Sequence, residues 1–205
     1  MSDAIERRFY SEAKIEIRKS GSDATTNTLR GYAAKFNALS ENLGGFREQI
    51  VPGAFDDVLS DDVRALFNHD GNQVLGRTTS GTLRIFQDEI GLGYEVDLPD
   101  TQTARDLVVS IERGDVSQSS FAFRIASNGD SWDENEDGVW IRTINKFYRL
   151  YDVSPVTFPA YPDATVGMRT LDAIKGKKEA EAAKAKAEIK RSLDAKARAL
   201  KLAEA

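Results

Sequence analysis

Alternation of apolar and polar positions is the strongest signal in the chain. Lys14 to Arg18 (K-I-E-I-R) predicts a strand and Leu29 to Phe36 a second, with a turn-rich loop from Gly21 to Asn27 between them. After a loop over Ser40 to Gly45, Phe46 to Val51 reads as a short strand. Ala54 to Leu59 reads as a short helix, its Phe55 and Leu59 spaced i, i+4. Val63, Ala65, Phe67 and His69 share parity, which predicts a strand with His69 at the end of its apolar face. Asp70-Gly71-Asn72 is the turn expected after it. Gln73 to Arg77 and Thr82 to Gln87 read as short strands. Leu92 to Leu98 is the clearest: Leu92, Tyr94, Val96 and Leu98 face one way, and Gly93, Glu95 and Asp97 the other. Half-buried antiparallel sheet follows.

Pro99-Asp100-Thr101 then opens a helix whose Ala104, Leu107, Val108 and Ile111 fall at i, i+3, i+4, i+7, with Gly114 as its stop. That stop delivers the chain into R-G-D-V-S-Q-S-S-F-A-F-R-I, Arg113 to Ile125. On the strand there, Phe121, Phe123 and Ile125 form a core face, while Ser120, Ala122 and Arg124 form a small-residue shelf with room for a ligand. Ser131 to Gly138 matches the opening of a calcium loop at Asp133, Asn135, Asp137 and Gly138. Its twelfth position is Ile144 rather than glutamate, so it reads as an acidic hairpin tip, with Trp140 to Ile144 as the returning strand. Phe147 to Val153 is a further strand. Val153 to Pro162 holds three of the chain's five prolines and is expected at a sheet edge or on the surface.

From about Leu171 the pattern changes to Ala, Lys and Glu, a high-propensity helix. Its Ile189, Leu193, Ala197 and Leu200 make only a narrow stripe, so the helix is expected exposed or docked on a partner. Charge marks the same boundary. Ile174 to Ala205 holds ten Lys+Arg and five Asp+Glu, a balance of +5, against eighteen and twenty-eight in the first 173 residues, a balance of -10. Residues 1–170 are therefore read as one domain and 171–205 as a charged helical tail.

Composition narrows the chemistry. With 40% hydrophobic and 30% charged residues, the 205-residue chain has a globular balance. No apolar run is long enough to cross a bilayer, and Met1 to Lys19 lacks the apolar core of a signal peptide, so the expectation is a cytosolic protein without a membrane partner. There is no cysteine and one histidine, which removes thiol nucleophiles, cysteine-rich zinc sites and the two-histidine zinc helix; no cofactor or metal is expected. Serine is left as the leading nucleophile of a hydrolase. Ser120, a hydroxyl on a rigid strand, is the candidate, His69 its candidate base, and a carboxylate or neutral polar group the orienter. A lone histidine beside apolar residues is, as a rule, simply packed and hydrogen-bonded. Pattern alone leaves that reading open.

G-Y-A-A-K-F-N at Gly31, G-G-F-R-E-Q-I-V-P-G-A-F at Gly44, F-N-H-D at Phe67, L-G-R-T at Leu75 and G-L-G-Y at Gly91 come in that order. R-G-D-V-S-Q-S-S-F-A-F at Arg113 and D-V-S-P-V-T-F-P-A-Y at Asp152 follow. Together, over roughly Leu29 to Arg169, they resemble the prohead maturation proteases of tailed bacteriophages. The resemblance implies a serine endopeptidase acting in the host cytoplasm, inside the immature capsid. Its implied substrates are the scaffold protein or the scaffold-like arm of the major capsid protein, and often the protease itself. It also implies an α+β fold with a mainly antiparallel, β-barrel-like core and flanking helices, similar to herpesvirus assembly proteases, and a homodimer by analogy with them. Carried over by position, the catalytic residues are His69, Ser120 and Asp152. Alternation favours Ser120 over Ser119, which shares the Phe121 face, with Ser117 the fallback. Asp152 stands where the family usually has Glu, so its backbone must approach His69 more closely or a water must bridge; Asp70 is the rival. Ala122 replaces the family's usual Gly, and Arg124, on the Ser120 face, is a candidate oxyanion donor.

Two other classes compete. One is a non-catalytic capsid-assembly module whose basic helix binds scaffold; in an enzyme within a prohead the same tail is expected to tether it to capsid or scaffold and to be trimmed on maturation. The other is nucleic-acid binding, which the acidic core and a tail without aromatics disfavour, so no specific nucleic acid is expected.

Overall fold

A computed structural model describes residues 5–9, 15–20, 26–158 and 165–203. Its strands are β1 (Glu6–Phe9), β2 (Ile15–Ser20), β3 (Thr26–Lys35), β4 (Phe46–Ile50), β5 (Arg64–Phe67), β6 (Asp70–Arg77), β7 (Leu83–Gln87), β8 (Gly91–Asp97), β9 (Gln118–Ile125), β10 (Asp130–Glu134), β11 (Trp140–Ile144) and β12 (Phe147–Val156). The helices are α1 (Gln102–Arg113) and α2 (Thr165–Ala203), with 3-10 turns at Asp56–Val58 and Thr78–Ser80. By its own contacts the chain divides into residues 1–166 and 167–205.

The strands form three sheets, in the orders β1–β9–β12–β5–β6, β10–β11–β4 and β2–β3–β8–β7. Pairing is antiparallel except for β4 with β11 and β5 with β12. The fold is thus α+β and mainly antiparallel, as the alternation predicts. A barrel is not completed: among the described residues the ladders stay in three separate sheets, whose inner faces share one core instead of joining edge to edge.

Phe55, Phe121, Phe123 and Phe147 are the centre of that core, each at most 1% exposed. Phe55 stacks on Phe147 at 4.3 Å and Phe121 on Phe123 at 4.8 Å between ring centroids. Such pairs contribute about 0.5–1.5 kcal/mol each beyond their buried area. The alternation on β9 is the cause, since it turns both of that strand's phenylalanines inward. On β8, Leu92, Tyr94 and Val96 are buried as a set. Gly91 is required by close packing: a methyl there would run into the Ala34 carbonyl oxygen and meet Lys35 Cα at 2.8 Å.

Helix α1 has the limits its pattern predicts. The Thr101 side chain accepts the Ala104 N–H, and Gly114 closes the helix at φ 84°, a left-handed conformation that suits a residue without Cβ. Ala104, Leu107, Val108 and Ile111 are its buried face. The acidic segment after β10 is a hairpin tip: the Asn135 side chain accepts the Asp137 and Val139 N–H groups, and β11 returns along β10.

Three expectations need correction. The strand expected from Val63 is β5, Arg64–Phe67, so His69 is not on it, and the turn is at Asn68-His69 rather than at Asp70-Gly71-Asn72. The proline-bearing segment does not start at an edge: β12 runs on through Pro155 to Val156 between β9 and β5. It can do so because the β5 ladder covers only Asp152 and Val153, and Pro155 serves beyond it as an acceptor, its carbonyl taking the Asn68 N–H at 3.0 Å. Pro159 and Pro162, like most of the loop expected from Gly21, lie outside the described residues. Finally, α2 begins at Thr165, upstream of Leu171, because propensity is a weak guide where Gly167 and β-branched residues dilute it. Its Ile189 is 62% exposed.

Candidate active site

Asn68 and His69 are the two residues of the β5–β6 hairpin loop, between the register partners Phe67 and Asp70. Both have positive φ, 54° and 57°, as the mirror-image turn that matches strand twist requires. Asn tolerates that conformation. Histidine occupies the position where glycine is usual, a local strain of the kind that persists where surrounding contacts fix it. Three bonds tie the turn to the end of β12: Asn68 N–H to Pro155 O at 3.0 Å, Thr157 N–H to Asn68 Oδ1 at 2.8 Å, and Asn68 Nδ2 to Thr157 Oγ1 at 3.1 Å.

So held, the His69 ring bridges two strands. Nδ1 lies 2.6 Å from Asp152 Oδ1 on β12, and Nε2 lies 2.8 Å from Ser120 Oγ on β9. The register sets these strands side by side, with Asp152 opposite Ala122 and Ser154 opposite Ser120. A short residue at Ala122 therefore leaves space beside Asp152. The His69 and Asp152 side chains are 7% and 10% exposed and Ser120 is fully buried, so the line is shielded from water, where hydrogen bonds to charge are strongest. The shorter Asp is accommodated by backbone approach, with direct contact and no bridging water needed.

The rivals point elsewhere. Asp70 accepts from the Asn72 N–H and side-chain amide, at 2.8 and 3.0 Å. Ser119 Oγ lies 2.9 Å from Tyr94 OH and donates to Ser154 O at 3.1 Å. Ser117 is exposed and precedes the strand. The Arg124 guanidinium lies over the Tyr148 ring at 5.0 Å.

Two neighbours were not anticipated. Ser154 Oγ donates to Asp152 Oδ1 at 2.7 Å, so this carboxylate oxygen has two partners. Its signal was strand parity: residues two apart share a face. The second is the Arg8 carbonyl, which accepts from Ser120 Oγ at 2.8 Å. Strand β1 holds it there, antiparallel to β9 with Phe9 opposite Ser120. Behind the site, burial pushes the Tyr94 hydroxyl above the ordinary tyrosine range, partly offset by its bond to Ser119.

A hydroxyl, an imidazole and a carboxylate joined in this order can generate a nucleophile. Carboxylate opposite Nδ1 keeps the proton on that nitrogen and leaves the Nε2 lone pair to accept from a serine. No group of three or more His, Asp or Glu able to hold a metal occurs among the described residues.

A family model described as "Caudovirus prohead serine protease" matches residues 13–178. Among solved structures, the chain is similar to the bacteriophage T4 capsid assembly protease, gp21, with a TM-score of 0.46 and 12% identity over 76% of this chain and 98% of that one. No curated protein matches significantly.

Proposed function

The chain belongs to the caudovirus prohead serine proteases, and on that footing we propose that Ser120, His69 and Asp152 are its catalytic residues and that it cleaves capsid-assembly proteins during prohead maturation. The observation that carries the assignment is the hydrogen-bonded line, 2.6 Å from Asp152 to His69 and 2.8 Å from His69 to Ser120. His69 Nε2 takes the Ser120 proton as Oγ attacks the scissile carbonyl. Asp152 holds the Nδ1–H tautomer and stabilises the imidazolium. The imidazolium returns its proton to the leaving amine, and a water activated by the same nitrogen hydrolyses the acyl-enzyme.

The substrates proposed are the scaffold protein, or the scaffold-like arm of the major capsid protein, and the protease itself, met in the host cytoplasm inside the prohead. Catalysis is assigned to residues 1–170, and 171–205 to a charged tail that tethers the enzyme to capsid or scaffold. The scheme uses no cofactor. A homodimer, and the relation to herpesvirus assembly proteases, rest on the resemblance; a helix-flanked, mainly antiparallel core is in keeping with the latter.

The test is co-expression with the capsid and scaffold proteins encoded beside it, read by intact mass. Cleavage by the parent chain and none by Ser120→Ala or His69→Ala is the expected result. Uncut masses throughout, with particles still forming, would replace it with a structural role.

A further inference from the structure

Strand β1 lies where a substrate has to come. The Ser120 hydroxyl is 2.8 Å from both Arg8 O and His69 Nε2, and it has a single proton to donate. The Arg8 carbonyl therefore competes with the imidazole for the proton that catalysis moves. A scissile carbonyl must also approach Oγ to about 3–3.5 Å. With β1 paired along β9, a main-chain carbonyl already occupies that place, and Ser120 is 0% exposed. Substrate and β1 exclude each other.

What holds this four-residue strand, besides its ladder to β9, is a buried set of charges. Arg8 Nε donates to Glu48 Oε1 at 3.1 Å, and Arg8 Nη2 donates to Glu6 Oε2 at 2.6 Å. Arg142 Nη1 donates to Glu6 Oε2 at 2.8 Å and Glu48 Oε2 at 3.1 Å, and Arg142 Nε to Asp130 Oδ2 at 2.7 Å. Glu48 on β4 and Arg142 on β11 belong to the body and remain when β1 leaves. When Glu6 leaves with β1, Arg142 still serves Glu48 Oε2 and Asp130, whereas Glu48 Oε1 loses the Arg8 donor, so two carboxylates are left to one cation. A buried carboxylate left short of a partner is costly, so the vacated seat favours an incoming cation. Side-on contact through Nε suits a guanidinium better than an ammonium.

We propose that peptide substrate binds as an antiparallel strand on the β9 edge that β1 fills in the resting chain, with a basic side chain in the Glu48 seat that Arg8 now takes. Strand β1 is then a substrate-like occupant that must be displaced before cleavage. This rests on the protease reading of the same site.

The test uses the full chain and a fluorophosphonate, which reports Ser120 reactivity without knowledge of the substrate. Arg8→Gln should be labelled at Ser120 about tenfold faster than the parent chain, the effect of losing a charge-assisted bond that holds β1. The parent chain gives a second readout that does not depend on the variant folding. Once its Ser120 carries the phosphonate, the amides of residues 6–9 should exchange with solvent deuterium about tenfold faster or more, because adduct and Arg8 carbonyl cannot share the space. Acetyl-Ile-Glu-Arg-Arg-Phe-amide, a copy of residues 5–9, should slow labelling of Arg8→Gln, and the same peptide with glutamine for its second arginine should not. Rapid labelling of the parent with residues 6–9 still protected would overturn the proposal and leave the protease intact. Equal protection by the two peptides would overturn the basic seat. Absence of labelling at Ser120 in every chain would sink the protease reading, and this one with it.

Discussion

Ser154 donates to Asp152 Oδ1 at 2.7 Å, and this same oxygen faces His69 Nδ1 at 2.6 Å. The carboxylate is thus pinned from two sides, by a hydroxyl on its own strand and by the imidazole across the sheet. Ser154 is fully buried and its strand register pairs it with Ser120. Replacing it with alanine removes a hydrogen bond to a charged group, about 1.5–3 kcal/mol, and frees the carboxylate to rotate away from His69. Ser154→Ala should lower kcat about tenfold or more with KM little changed. Steady-state kinetics reads the split, and a purely structural role would lower the melting temperature and leave kcat of the folded enzyme unchanged.

Asp152→Glu tests whether the direct contact tolerates the side chain usual at this position in the family. The 2.6 Å separation leaves no room for another methylene unless His69 or Ser154 yields. A misplacement near 1 Å costs on the order of a hundredfold in rate, so single-turnover cleavage should fall by about that factor while the melting temperature changes little. Activity equal to the parent would mean that the loop holding His69 adjusts freely.

That loop is open to a pair of substitutions at Asn68. Asn68→Ala loses both side-chain bonds to Thr157 and places a Cβ-bearing residue without local compensation at φ 54°, a strain of about 1–2 kcal/mol. Asn68→Gly loses the same bonds but keeps the conformation free of strain. Both variants should lose activity about tenfold through a less fixed His69, and both should unfold at lower urea than the parent, the alanine at lower urea than the glycine. Equal stability of the two would show that the turn is not strained.

The sequence pattern made much of this legible, for a physical reason in each case. Periodicity of two on β8 and β9 reflects the large apolar side chains of one face, although both faces of β9 are buried, so Tyr94, Phe121 and Phe123 and the opposite parity of Ser120 could be read directly. The helix stop at Gly114 was equally plain. The His69 turn was misplaced because apolar parity from Val63 seemed to continue through it, whereas Asn68-His69 is a two-residue loop with histidine in the usual glycine position. Glu6, Arg8, Glu48, Asp130 and Arg142 were invisible as a group, since strand register alone brings together charges so far apart in the chain. Pro155 misled because the rule against central prolines assumes a neighbour that needs its N–H, and here the neighbour donates.

The same cluster yields a stability prediction. Arg142 is 3% exposed, and the carboxylates of Glu6, Glu48 and Asp130 hold its guanidinium more firmly protonated than usual despite burial. Arg142→Met keeps the volume but takes a cation from three carboxylates and leaves Glu6 and Glu48 to share Arg8, an effect of about 3–5 kcal/mol. Urea unfolding should show a loss of that size, and Glu48→Gln added to Arg142→Met should recover part of it. A loss under about 1 kcal/mol would mean that water already reaches the cluster.

Tyr94 supplies a pH dependence whose sign can be worked out. Its hydroxyl is buried in the core, bonded to Ser119 Oγ at 2.9 Å, and burial raises its pKa above the ordinary value. A group with a raised folded-state pKa contributes stability that is whole below the unfolded pKa, here about 10, and is lost as pH rises toward the folded value. The unfolded chain ionises first and is favoured. The parent should therefore lose stability above about pH 10 more steeply than Tyr94→Phe, which has no proton to release. At neutral pH the order reverses, because the phenylalanine leaves Ser119 short of a partner, about 1 kcal/mol. Melting temperatures of the two chains, measured from neutral to alkaline pH, should converge and then cross. Parallel curves would show that Tyr94 ionises as readily folded as unfolded, and that the hydroxyl layer behind Ser120 is open to water.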